Sequence, residues 1–119
     1  MSDSADTRIL AIREHCFAQD SDRITEEYPW GHPVWKVAGK LFAAGPEDGS
    51  EVTVKATPDQ QTVLIQHPAI RVADYVGRYG WVTVEVTDDE SLELARDLID
   101  ESFEMVRPKS RGAKSAARG

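Results

Sequence analysis

The chain of 119 residues carries 21 acids against 14 bases, a formal charge of −7, with 40% hydrophobic and 29% charged residues. That is one domain's worth of chain, and a domain near this size buries roughly two-thirds of the surface its unfolded chain exposes, so a core forms without metal or disulfide staples. A single cysteine, Cys16, excludes an intramolecular disulfide and a cysteine-cluster zinc site and fits a reducing cytoplasm. No apolar run approaches the roughly 20 residues of a membrane helix, and the acidic start Met1-Ser2-Asp3-Ser4-Ala5-Asp6 does not read as a secretory signal. The expectation is a soluble, cytoplasmic protein without a membrane partner, a monomer or weak homodimer.

Charge is unevenly spread. Residues 107–119 hold Arg107, Lys109, Arg111, Lys114 and Arg118 and no acid, so residues 1–106 carry nine bases against 21 acids, a net of −12. Residues 1–106 therefore read as a single folded body and 107–119 as a basic tail too poor in apolar side chains to pack, hence disordered. A solvated terminus and an arm for anionic partners both fit that tail. A body at −12 repels phosphate backbones unless its cations gather on one face.

In chain order, a first helix is expected over 7–17, capped by Ser4 or Asp6, with Ile9, Leu10, Ile12, Cys16 and Phe17 near one side. Residues 19–22 read as a loop. From Ile24 the period changes to two. Residues 34–38 and 41–44 then form a hairpin on a two-residue turn, Gly39-Lys40, which pairs Ala38 with Leu41, Val37 with Phe42 and Lys36 with Ala43. A strand is expected over 51–56. Thr57, Pro58 and Gln60 open a second helix with a capping box, and Pro68 stops it by His67. Residues 69–80 read as irregular and 81–86 as a strand. Thr87 and Glu90 make a second capping box for a last helix presenting Leu92, Ala95, Leu98, Ile99, Ser102, Phe103 and Val106 at three-to-four spacing. This order argues for an α+β fold, two layers, with helices packed on one face of an antiparallel sheet.

Alternation then sorts the side chains. Trp35, Val37, Phe42 and the valines at 52, 54, 82, 84 and 86 belong to the helix-covered face, and Lys36, Lys55, Trp81, Thr53 and Thr83 to the other. Two lysines and a tryptophan on one open face make an anion- or base-stacking platform. An ordinary half-solvated face, with Glu51 and Glu85 neutralising the lysines across strands, fits the same pattern. The segment Pro29-Trp30-Gly31-His32-Pro33 is a rigid bend, and His32 there is either a binding or acid–base contact or a histidine bonded to the bend's own backbone. His15, Cys16, His32 and His67 show no ligand spacing, so no metal is expected. Cys16 falls on an apolar helix side where thiols are inert, and no phosphate loop or nucleophile elbow is present. No cofactor and no catalytic residues are assigned, and the chain is not read as an enzyme.

The run Thr25-Glu26-Glu27-Tyr28-Pro29-Trp30-Gly31-His32-Pro33-Val34-Trp35-Lys36-Val37 with Gly39-Lys40-Leu41-Phe42-Ala43, then Val54-Lys55-Ala56, the Tyr75…Gly80-Trp81-Val82 segment and Asp100-Glu101-Ser102-Phe103, resembles the MmcQ/YjbR family of small bacterial proteins over about residues 7–106. The resemblance implies a compact α+β fold with an antiparallel sheet, similar to secretion-chaperone-like and frataxin-like arrangements. It also implies DNA binding by analogy, through a double wing of strands and loops. The acidic Gly45-Pro46-Glu47-Asp48-Gly49 loop at a wing position departs from what phosphate contact needs. Three readings stay open. In the first, DNA is bound non-enzymatically, Lys36, Lys55 and Arg78 on phosphate, Trp30 and Trp81 stacking or wedging, with His32 in the bend beside them. In the second, the same residues line a pocket for a peptide or an anionic small molecule. The third is a chaperone-type adaptor, which needs a sizeable exposed apolar patch.

Overall fold

The computed structural model describes residues 2–20, 23–74 and 76–108, with side chains from residue 7 onward. Helix α1 (Ser2–Ala18) is followed by strands β1 (Ile24–Glu27), β2 (Val34–Val37), β3 (Lys40–Ala44) and β4 (Glu51–Val54), a short helix α2 (Pro58–Leu64), strand β5 (Ile70–Val72), a 3-10 turn at Gly77–Tyr79, strand β6 (Val82–Glu85) and helix α3 (Asp89–Val106). The strands form one antiparallel sheet in the order β1-β2-β3-β4-β6-β5. The fold is α+β, as expected. No helix among the described residues is long and apolar enough to cross a membrane.

One face of the sheet holds the core. Val52, Val54, Val82, Val84 and Val86 are buried there with Trp35, Val37, Phe42 and Ala43. Helix α3 lays Ala95, Leu98, Ile99, Phe103 and Val106 on them, and α1 adds Ile9, Ile12 and Cys16. The Phe42 and Phe103 rings meet edge to face at 5.5 Å between centroids, the arrangement the ring quadrupole prefers. Burial pushes the Cys16 thiol pKa far up, so the thiol stays protonated and packs as a small apolar group.

Two polar groups tie this core together. The Ser102 hydroxyl is fully buried, donates to the Phe42 carbonyl at 2.7 Å and accepts the Lys55 N–H at 2.9 Å. Strands β3 and β4 pair at Ala43–Val54 and Ala44–Thr53. One step further on, where Phe42 would face Lys55, the helix hydroxyl stands between the two backbones. The Glu26 carboxylate, 16% exposed, accepts from Arg13 of α1, from the Tyr28 hydroxyl and, at 2.8 Å, from the indole N–H of fully buried Trp35. Burial alone would raise its pKa. The hydrogen bonds from Arg13, Tyr28 and Trp35 outweigh that and hold it below the ordinary value.

The structure corrects five expectations. The hairpin turn is Ala38-Gly39, not Gly39-Lys40. Val37 pairs with Lys40, Lys36 with Leu41 and Trp35 with Ala43, with a bulge between Trp35 and Lys36. Ala38 and Gly39 both take positive φ, 51° and 82°, so the turn is of the type I′ kind that matches strand twist even with alanine first. The extra residue accommodated by the bulge keeps Phe42 in the core, so the facial assignment survives the slip of register. Helix α1 starts at Ser2, which puts Ser4 and Asp6 inside it rather than at its cap. The capping box of α3 is Asp88 with Ser91, not Thr87 with Glu90, because a serine hydroxyl at the third position reaches back to the cap N–H over a shorter path. The segment 69–80, read as irregular, contains edge strand β5 and the 3-10 turn. Glu51 and Glu85 are neutralised by Arg71 of that strand rather than by lysines. The capping box at Thr57 and Gln60 forms as expected. Of the basic tail, residues 109–119 lie outside the described residues, and Arg107 reaches back to Glu104 of α3.

Three stability measurements follow from these contacts. Ser102→Ala leaves a buried carbonyl and N–H unpaired and should cost about 2–3 kcal/mol by urea unfolding, whereas Glu101→Ala, exposed one residue earlier, should stay within about 0.5 kcal/mol. Ala38→Asn, which tolerates the left-handed conformation better, should stabilise by about 0.5–1 kcal/mol, and no gain would contradict the turn assignment. Because the Glu26 pKa is lower folded than unfolded, its contribution is present above the unfolded value of about 4.3 and is lost as pH falls through the folded value. Glu26→Gln should therefore destabilise at neutral pH by about 2 kcal/mol and should flatten the acid limb of the stability curve.

Candidate functional site

The face opposite the helices is not bare. Register places Glu27, Val34, Ala44, Thr53, Thr83 and Arg71 in one row running across all six strands on that face. Val34 is fully buried and Thr83 only 2% exposed, so something covers the middle of the row. Two connections do so. The bend at 29–33 rises on one side, and the chain at Asp74 and at 76–81 rises on the other. Between them lies a cleft of about 680 Å³. Leu41, Ala44, Glu51, Thr53 and Thr83 form its floor, Trp30 and His32 one wall, and Asp74, Val76 and Trp81 the other.

Each wall is fixed by backbone chemistry. In the bend, Gly31 takes φ +86° between the two prolines, a conformation glycine adopts without strain, and the Trp30 and His32 rings lie 6.0 Å apart at 40°. His32 Nδ1 is 3.3 Å from the Pro33 carbonyl. A carbonyl only accepts, so Nδ1 carries the proton and Nε2 is the ring's remaining polar atom. Trp30 is 70% exposed. On the second wall, Gln61 of α2 donates to the carbonyls of Gly77 and Trp81, and the Ala73 N–H also donates to the Trp81 carbonyl. Gly80, at φ +104°, passes so close to the chain at 56–58 that a Cβ would sit 2.4 Å from the Ala56 carbonyl oxygen. Only glycine allows that approach, and it delivers Trp81 to the cleft. The floor is tied by a hydrogen bond of 2.7 Å between the Thr53 and Thr83 hydroxyls.

The charges of the cleft are negative. Among the described residues its lining includes two carboxylates, Glu51 and Asp74, and no lysine or arginine. Arg71 is clamped at 2.9 Å by Glu51 and again by Glu85. The hydrogen bond that Arg71 donates to Glu51, against some burial, and the charges of Glu51, Glu85 and Asp74 push the guanidinium pKa further up. One fixed cation therefore faces three carboxylates.

The six residues singled out from the sequence divide between two places. Trp30, His32 and Trp81 come together on the cleft walls. Lys36 does not join them: its ammonium sits 3.0 Å from Glu27 toward the β1 edge, and that bond, with one from Thr25, lowers the Glu27 pKa. Lys55 lies one step beyond the Val54–Val82 pair, half-buried and outside the cleft lining, its N–H committed to Ser102. Arg78 is exposed, with its guanidinium 5.0 Å from the centre of the Tyr79 ring. Asp74, Val76 and Leu41 were missed by sequence reasoning. Asp74 and Val76 lay in the segment read as irregular, and Leu41 was assigned by the wrong turn register. Glu51 was placed on the correct face by alternation alone. Among the described residues no three of His, Cys, Asp and Glu cluster as metal ligands.

Two solved structures share this architecture. Protein DR2400 of Deinococcus radiodurans, with a DUF419 domain, superposes with a TM-score of 0.68 at 23% identity, covering 88% of this chain and 83% of its own. A protein from Pseudomonas syringae does so with a TM-score of 0.59 at 19% identity, covering 81% of this chain and 97% of its own. Identities this low speak for the fold. No curated protein matches the chain. The YjbR family model matches residues 21–105, a span that takes in all six strands, α2 and nearly all of α3, and the chain belongs to the YjbR family.

Proposed function

We propose that the protein is a non-enzymatic binding module whose ligand is a small molecule held in the cleft on the open sheet face. The observation that carries this reading is the coincidence of the cleft with Trp30, His32 and Trp81. Concave, mainly apolar sites with a few placed polar groups are where small ligands bind, and the Thr53–Thr83 hydroxyls and His32 Nε2 supply such groups. A tryptophan 70% exposed on the rim is apolar surface that a ligand would cover. Catalysis draws no support from the nucleophile and base candidates: the Cys16 thiol is held protonated in the core on the other face, and His32 is hydrogen-bonded to its own bend.

Duplex DNA on this face is the weaker reading. Phosphate contact needs unpaired cations along a track. Lys36 and Arg71 are both bound to carboxylates, and Lys55 and Arg78 stand outside the cleft.

A ligand-observed NMR screen of a general fragment panel separates the two. Hits should compete with one another for one site and should vanish in Trp81→Ala, while a labelled duplex shows no anisotropy change near physiological salt. Steeply salt-dependent duplex binding that Lys55→Ala and Arg78→Ala weaken, and that Trp81→Ala leaves intact, would overturn the proposal.

A further inference from the structure

The lining of the cleft bears on the class of ligand. An anion entering it would meet Glu51 and Asp74 and, among the described residues, no lysine or arginine. Arg71, beside it, already bridges Glu51 and Glu85, so an anion would have to break those bonds to use it. A bare metal ion is no better served. Hard cations require about six oxygen ligands, and among the described residues no group of three or more His, Cys, Asp and Glu side chains is placed to hold one. A cation with an apolar body suits all the features at once. Weakly hydrated alkylammonium groups are attracted by indole faces, most strongly by tryptophan, and Trp30 and Trp81 occupy opposite walls. The carboxylate of Asp74 stands on the same wall as Trp81, and that of Glu51 on the floor between the walls.

Resting on the reading of the cleft as a ligand site, we infer that it selects a small organic cation, an alkylated ammonium group carried on an apolar body, received between Trp30 and Trp81 with its charge balanced chiefly by Asp74, since Glu51 is shared with Arg71. The Thr53–Thr83 pair and His32 Nε2 are left to orient a hydroxyl or carbonyl elsewhere on the ligand. The same lining sets a negative preference: a carboxylate or phosphate of equal size is excluded by charge rather than by shape.

Three probes of one shape and different charge test this on the full chain: choline, its uncharged carbon counterpart 3,3-dimethylbutan-1-ol, and 3,3-dimethylbutanoate. Binding is followed by the indole N–H shifts of Trp30 and Trp81. Choline should bind about tenfold more tightly than the alcohol, and the carboxylate more weakly than either. Asp74→Asn, which keeps the side chain's size, should reduce choline binding about fivefold and leave the alcohol unchanged. Equal or tighter binding of the alcohol or the carboxylate overturns the cation preference while leaving the cleft a ligand site. If choline fails to bind while uncharged panel fragments still shift both indoles, the inference again falls alone. If nothing in either set shifts them, the cleft reading falls as well.

Discussion

The hydroxyl of Ser102 is the joint on which the two layers meet. It belongs to α3, yet it completes backbone hydrogen bonding for Phe42 in β3 and for Lys55 just past β4. Buried backbone groups must be paired, and here the pairing runs through a helix side chain instead of across the strands. Helix and sheet are thereby locked in one relative position. The Glu26 cluster does the same at the other end, where Arg13 of α1 and the buried indole of Trp35 share one carboxylate. These polar ties set alignment, while the valine faces and the Phe42–Phe103 contact supply most of the apolar burial.

With the helices fixed to one face, the opposite face is shaped by the connections alone. Glycines at 31 and 80, each with positive φ, turn the chain over the sheet on either side of Thr83, and Gln61 pins the second of these connections by its carbonyls. A sheet face expected to lie open is thus converted into the floor of a cleft. Its surroundings are acidic because Arg71 is outnumbered by Glu51, Glu85 and Asp74. The same sheet therefore offers two different surfaces: an apolar, negative cleft at its centre, and dispersed cations, Lys36 toward the β1 edge and Arg78 by the 3-10 turn, that are paired or stacked individually.

Much of this was legible in the residues. Alternation assigned the core valines, Trp35 and the Thr53–Thr83 pair to their faces, because a period of two is insensitive to where a strand ends. The Thr57–Gln60 cap could be read because proline and the box fall at adjacent positions. The hairpin turn slipped by one because glycine at position 39 serves either a II′ turn starting there or an I′ turn ending there, and only the bulge at Trp35–Lys36 decides between them. Strand β5 is three residues long, too short for periodicity to register. Losing it hid Arg71, and with Arg71 the sign of the charge around the cleft. Lys36 was right in face and wrong in company: alternation says which side a side chain takes, but not that Glu27 captures its ammonium at the β1 edge.

Whether the centre of this face or its scattered cations meet the partner is settled most directly by amide chemical-shift mapping, with a bound fragment and with duplex DNA titrated separately into the labelled full chain. The account predicts that the fragment moves the amides of residues 30–32, 41, 53, 76, 81 and 83 together, and that the duplex leaves them in place. Shifts confined to the neighbourhoods of Lys36, Lys55 and Arg78 on adding duplex, with the cleft silent to every fragment, would contradict it.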